Sequence, residues 1–174
     1  RGEMATSNRA GPAAVMGLPP TKTIAAGRDT TCAVAMDGTL RCWGAGGDGE
    51  LGDGMGMSAS LPQQVPGLAA IAGVALGDRF ACAFDSAGAT WCWGDNDEAE
   101  LGAGYSNDKE TSPVVTPVPA KLVAIAAGGD HACALDDQHQ VWCWGNNFDG
   151  KLGDGTEDRG NSPTRTLFVD SAAV

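Results

Sequence analysis

Cys-Trp-Gly occurs three times in this chain, at Cys42-Trp43-Gly44, Cys92-Trp93-Gly94 and Cys143-Trp144-Gly145, at offsets of 50 and 51 residues. Such a period restricts the chain to an array of one supersecondary unit, because a unit this small buries its apolar face only against a neighbour. Other landmarks keep the same register. A cysteine precedes each Cys-Trp-Gly by ten positions (Cys32, Cys82, Cys133), and a glycine lies five residues before that (Gly27, Gly77, Gly128). Ile24, Val74 and Ile125 stand three residues earlier still. Leu-Gly-x-Gly follows at Leu51, Leu101 and Leu152, then a proline at Pro62, Pro113 and Pro163. The repeats are read as 24–73, 74–124 and 125–174. Residues 1–23 read as the tail of a preceding repeat, since Pro12 lies fifty residues before Pro62 and Val15-Met16-Gly17-Leu18-Pro19 echoes Val65-Pro66-Gly67-Leu68. Three repeats and a half are expected, as one part of a longer chain or assembly.

Within a repeat, Thr31-Cys32-Ala33-Val34-Ala35 and Thr39-Leu40-Arg41-Cys42-Trp43 flank Asp37-Gly38, a hairpin signal. Pairing Cys32 with Cys42 leaves a three-residue loop ending in Gly38, at a position that needs left-handed dihedrals. Gly88 occupies that place in the second repeat. His139 occupies it in the third, so that turn is expected to be strained or reshaped. An apolar strand precedes each hairpin, and a Pro-x-x-Val stretch follows it as an edge strand, where proline is tolerated. Four short strands per fifty residues, small residues first and proline last, match an all-β propeller blade. The 26 glycines, against roughly 12 expected at average usage, argue against a long helical bundle.

Six cysteines permit fifteen pairings, and repeat symmetry selects Cys32–Cys42, Cys82–Cys92 and Cys133–Cys143. Directly opposed residues on antiparallel strands are close enough to be bridged. The competing readings are zinc ligation, for which the spacing is unusual, and buried reduced thiols. Disulfides would imply an extracellular or periplasmic home.

Eleven Lys and Arg against 22 Asp and Glu give a net charge of −11. That balance opposes nucleic-acid or anionic-membrane binding. The longest apolar stretch, Leu68 to Leu76, is too short for a membrane span. No catalytic constellation is evident. There is no Gly-x-Ser-x-Gly elbow or phosphate loop, and only His131 and His139 supply imidazole. No catalytic residue, metal site or cofactor is therefore expected. The loops after each Trp-Gly are acidic, with Asp48, Glu50 and Asp53, then Asp95, Asp97, Glu98 and Glu100, then Asp149 and Asp154. Rotation about a common axis turns equivalent loops to one side, so these nine carboxylates are expected on one face, read first as turn-forming, solubilising residues and second as a docking face for a cationic partner. A calcium site at Asp48 and Asp53 is a weaker reading, because no loop has the twelve-residue calcium pattern. The tryptophans at 43, 91, 93, 142 and 144 are expected to pack between blades, with sugar stacking as the lesser alternative.

Gly128-Gly129-Asp130-His131-Ala132-Cys133-Ala134-Leu135, with Val141-Trp142-Cys143-Trp144-Gly145-Asn146-Asn147-Phe148-Asp149-Gly150-Lys151-Leu152-Gly153-Asp154-Gly155, resembles the regulator of chromosome condensation repeat. The resemblance covers nearly the whole chain and implies a β-propeller, seven-bladed in complete members. The second repeat departs from it, with Ala99 where Gly49 and Gly150 stand in the others. The resemblance also implies a packing role for His131. Family members act as binding platforms. One branch is a nuclear exchange factor for the GTPase Ran, and another resembles secreted bacterial inhibitors of β-lactamase. Acidity and paired cysteines agree better with a secreted bacterial protein. The function expected is a non-catalytic interaction or structural scaffold. Its partners would be a protein, further blades or a second copy, by dimer closure or filament growth. An enzyme inhibitor is the alternative, and an exchange factor or carbohydrate-binding module fits less well.

Overall fold

The computed structural model describes residues 11–167. Residues 1–10 of the expected preceding tail and 168–174 of the third repeat lie outside it. Twelve strands form three antiparallel sheets of four, each wound in chain order. The first sheet contains β1 (Thr21–Ala26), β2 (Thr30–Ala35), β3 (Leu40–Gly44) and β4 (Ala59–Gln64). The second contains β5 (Ile71–Leu76), β6 (Phe80–Asp85), β7 (Thr90–Asp95) and β8 (Lys109–Val115). The third contains β9 (Leu122–Ala127), β10 (His131–Asp136), β11 (Val141–Gly145) and β12 (Gly160–Arg165). A single turn of 3₁₀ helix at Phe148–Gly150 is the only helical element among the described residues. This is an all-β partial propeller.

The hairpin at the centre of each sheet follows from its turn. The Ala35 amide donates to the Thr39 carbonyl at 2.8 Å, leaving residues 36–38 as the loop. Gly38 closes it at φ 82° and Gly88 closes its counterpart at φ 100°. His139 holds φ 62°, so the third turn keeps the shape and carries the strain on a side chain that disfavours it. Asp37, Asp85 and Asp136 brace the three turns by accepting backbone N–H donors through Oδ1. Pro62, Pro113 and Pro163 lie on β4, β8 and β12, the outermost strand of each sheet, where a missing N–H breaks no ladder.

The register places Cys32 opposite Cys42, Cys82 opposite Cys92 and Cys133 opposite Cys143. All three pairs are disulfides with Cα atoms 4.1 Å apart, and no free cysteine remains among the described residues. Each bridge pins the middle of its own sheet.

The core lies between sheets. Cys32, Val34, Leu40 and Leu51 of the first blade meet Ile71, Ala81, Ala83 and Trp93 of the second. One step on, Cys82, Phe84 and Leu101 meet Leu122, Ala132, Ala134 and Trp144. At both interfaces the following blade presents its leading side, which carries the tryptophan, and the preceding blade its trailing side, which carries the disulfide. Trp91 also packs against the first interface, alongside Trp93 as period-two alternation requires.

Candidate functional site

The segments 45–58, 96–108 and 146–159 join the third and fourth strands of the three blades and carry eight of the nine acidic residues, Asp95 being the last residue of β7. They do not stand free. The Trp93 Nε1–H of blade two donates to the Glu50 carbonyl of loop one at 2.9 Å. The Trp144 Nε1–H of blade three repeats that bond to the Glu100 carbonyl, also at 2.9 Å. Gly52 and Gly102 lie flat on these indoles at φ 65° and 60°. A Cβ at Gly52 would sit 2.7 Å from Trp93 Nε1, and one at Gly102 would sit 2.6 Å from Trp144 Cδ1. The loop tips reach further onto the next blade. Gly54 N–H donates to the Thr111 carbonyl, and Gly104 N–H donates to that of Asn161. The next blade answers with a cation, Lys109 Nζ to the Gly47 carbonyl and Arg159 Nη1 to that of Asp97, each at 2.8 Å. Successive loops are thus clasped into one continuous rim.

Inside the loops, Asn96 and Asn147 are buried organisers. Their Oδ1 atoms accept the Leu101 and Leu152 amides, and their Nδ2 atoms donate across the loop to Asn107 and to the Thr156 and Asp158 carbonyls. Blade one has Gly46 at that position, packed directly against the Met57 backbone. The recurrence of Asn96 and Asn147 at one place in the period was the sequence signal for this role. Ala99 adopts φ 60° where the other repeats have Gly49 and Gly150, so its departure from the pattern preserves the backbone shape.

The nine expected carboxylates divide into two groups. Asp97, Glu98 and Asp149 are exposed, and Asp48, Asp53 and Asp154 are half-buried. Glu50, Asp95 and Glu100 are buried, at 4%, 4% and 3% exposure, and so do not belong to a docking surface. The reason is local. Glu50 and Glu100 fold back to accept the amides of Asp48 and Glu98, both at 2.9 Å, beneath the clasp made with the next blade. Asp95 pairs with Arg79 at 2.6 Å. Burial pushes the carboxyl groups of Glu50 and Asp95 above their usual range, and pushes Glu100 up to about 7. Asp154 moves the other way, held down by hydrogen bonds from Thr156. Lys151 replaces the buried glutamate in the third loop and is exposed, so that loop lacks the internal carboxylate brace.

His131 is half-buried over Gly128, as Phe80 lies over Gly77 in the second blade. Its Nδ1 has no hydrogen-bond partner among the described residues, and burial lowers its pKa. The arrangement is that of a packing residue. Trp142 Nε1 donates to Asp136 Oδ2 at 2.8 Å, tying the third hairpin to its own turn. Among the described residues no three His, Cys, Asp or Glu side chains are grouped so as to hold a metal, and no helix is long and apolar enough to cross a membrane.

Profiles of the regulator of chromosome condensation (RCC1) repeat match residues 22–50 and 122–151, and, in a second form, 37–84 and 87–135. The chain belongs to the RCC1 repeat family. It is similar to the E3 ubiquitin-protein ligase HERC2 of Homo sapiens, at 31% identity over 147 residues, and to that of Mus musculus at 30%. Those matches cover 83% of this chain and 3% of each relative. Among solved structures it resembles Prp20p of Saccharomyces cerevisiae, with TM-score 0.78, 23% identity, and coverage of 89% of this chain and 40% of that one. Human WBSCR16 follows, with TM-score 0.76, 22% identity, and coverage of 85% and 40%. These two likenesses show the fold. This chain spans 3% of the length of each HERC2 relative and 40% of each of these two solved chains. The three disulfides are compatible with an oxidising location.

Proposed function

We propose that this RCC1-type arc is a non-catalytic protein-interaction scaffold that works in an oxidising, extracytoplasmic compartment and docks a cationic protein on its loop rim. One observation carries the reading. Asp48, Asp53, Asp97, Glu98, Asp149 and Asp154 remain at the surface, and the first four stand on loops clasped to the following blade, so their spacing is fixed before a partner arrives. Preorganised charge of one sign steers a complementary partner and loses little entropy on binding. Lys109 and Arg159 are engaged with loop carbonyls within the rim, and exposed Lys151 of the third loop stands against the six surface carboxylates, so the outward charge is predominantly negative. The solved structure of Prp20p concerns that protein's binding to Gsp1p and histones, which supports a protein as the class of partner here.

The test is titration with a lysine-rich peptide across a salt series, comparing the native chain with a variant carrying Asp97→Lys and Glu98→Lys. The proposal expects binding that weakens as salt rises and falls at least tenfold in the variant. Binding indifferent to both would overturn it. A screen against extracellular hydrolases, β-lactamase included, separates a scaffold, which leaves them active, from an inhibitor.

A further inference from the structure

Resting on the reading of the rim as a docking surface, we infer that its partner presents a basic amphipathic segment, whose apolar side chains seat on Met55, Met57 and Tyr105 at the tips of loops one and two. Met55 and Tyr105 hold the same place in their repeats, directly after Leu51-Gly52-Asp53-Gly54 and Leu101-Gly102-Ala103-Gly104. Polar residues are the ordinary choice in such turns, and Thr156 stands there in the third repeat. Met55 and Tyr105 are instead 66% and 41% exposed, and Met57, two residues beyond Met55, is 61% exposed. An apolar residue standing alone at a surface needs no explanation, but apolar groups gathered on consecutive loops mark a contact surface. Methionine suits one, because its unbranched thioether repacks around varied shapes. Both loops have their following blade in place, so these side chains are exposed in spite of it.

The start of β8 brings the two tips together. Loop one lies along it, with Gly54 N–H donating to the Thr111 carbonyl at 2.9 Å. A Cβ at Gly56 would sit 3.3 Å from Thr111 Cγ2. From loop two, the Tyr105 hydroxyl donates to Glu110 Oε1 at 3.0 Å, one residue away. Carboxylates frame the apolar groups. Asp53 Oδ1 accepts the Met55 amide at 2.9 Å, and exposed Asp108 and half-buried Glu110 follow Tyr105. Lys109 between them is held on the Gly47 carbonyl. Apolar groups framed by negative charge match a segment whose own apolar side chains are flanked by Lys or Arg. A second copy of this chain, at net charge −11, and an anionic lipid surface would both be repelled. A purely cationic segment would leave the three apolar side chains in water.

Two synthetic peptides of equal length and charge test this, one built of lysine and serine, the other with two of its serines replaced by leucine. Each is titrated calorimetrically into the native chain and into a variant carrying Met55→Ser and Met57→Ser. Three intact disulfides and an unchanged near-ultraviolet tryptophan spectrum verify that the variant is folded. The native chain is expected to bind the leucine peptide about tenfold more tightly than the serine peptide, the effect of covering one apolar side chain. The variant loses that preference and binds the serine peptide as the native chain does. In the native chain the methyl resonances of Met55 and Met57 shift when the leucine peptide is added. Equal affinity for the two peptides, or a preference for leucine that survives the double substitution, overturns the inference and leaves the acidic rim standing. If neither peptide binds, the docking reading of the rim falls and the inference falls with it.

Discussion

Replacing Glu100 with glutamine isolates the cost of placing a carboxylate under an inter-blade clasp. Glu100 is buried at 3% exposure, accepts the Glu98 amide, and titrates near 7 in place of 4.5. Desolvation is the leading cause, with the charges of Asp95 and Asp130 adding to it. A folded-state pKa above the unfolded one means that the native chain binds more protons between the two values, so stability falls as pH rises through that window. Below about pH 4.5 the group is neutral in both states and costs nothing. Above about pH 7 the full penalty applies, a difference of some 2.5 pKa units or about 3 kcal/mol. Glutamine keeps an oxygen for the Glu98 amide and never ionises. Glu100→Gln should therefore match the native chain at pH 4 and exceed it at pH 8 by up to about 3 kcal/mol, a rise in midpoint of roughly 6–12 °C for a chain of this size. Thermal unfolding followed by tryptophan fluorescence, disulfides intact, reads this directly. An offset that does not change with pH, or a loss of stability at pH 8, would refute the reasoning.

Other substitutions probe separate parts of the account. His139→Gly should stabilise the third hairpin by about 1 kcal/mol, since His139 holds a left-handed φ of 62° that glycine adopts freely; a chemical-denaturation midpoint reads it. Gly102→Ala should cost more than about 2 kcal/mol in the same assay, because the added methyl meets Trp144 at 2.6 Å and φ is already positive. Reduction should add six protons to the intact mass, and each bridge lost should remove about 2.7 kcal/mol by the chain-entropy account of an eleven-residue loop.

The period carried most of the fold into view. Once Cys32 and Cys42 are set opposite each other, the turn residues, the outer proline strand and the disulfide follow from strand geometry, and the structure has all of them. The strained position at His139 was legible for the same reason. The loops were less transparent. A glutamate among glycines and aspartates reads as a solvated turn residue, so Glu50 and Glu100 were expected at the surface. Their burial depends on the following blade, whose tryptophan takes the glutamate carbonyl and closes over the side chain. That contact joins residues 43 or 44 positions apart and leaves only a faint local pattern, the recurrence of glutamate immediately before Leu51 and Leu101. Asp95 was hidden for a similar reason, since its partner Arg79 lies on the turn before β6, where the other two repeats carry an acid, Asp29 and Asp130.

The clasp between blades is tested most directly by hydrogen exchange at the five tryptophan indoles, resolved by nuclear magnetic resonance. Trp93 and Trp144, each bonded to a glutamate carbonyl of the preceding loop, should exchange far more slowly than half-buried Trp91. If either exchanges as fast as Trp91, the loops do not grip the next blade and the rim is not a preformed surface.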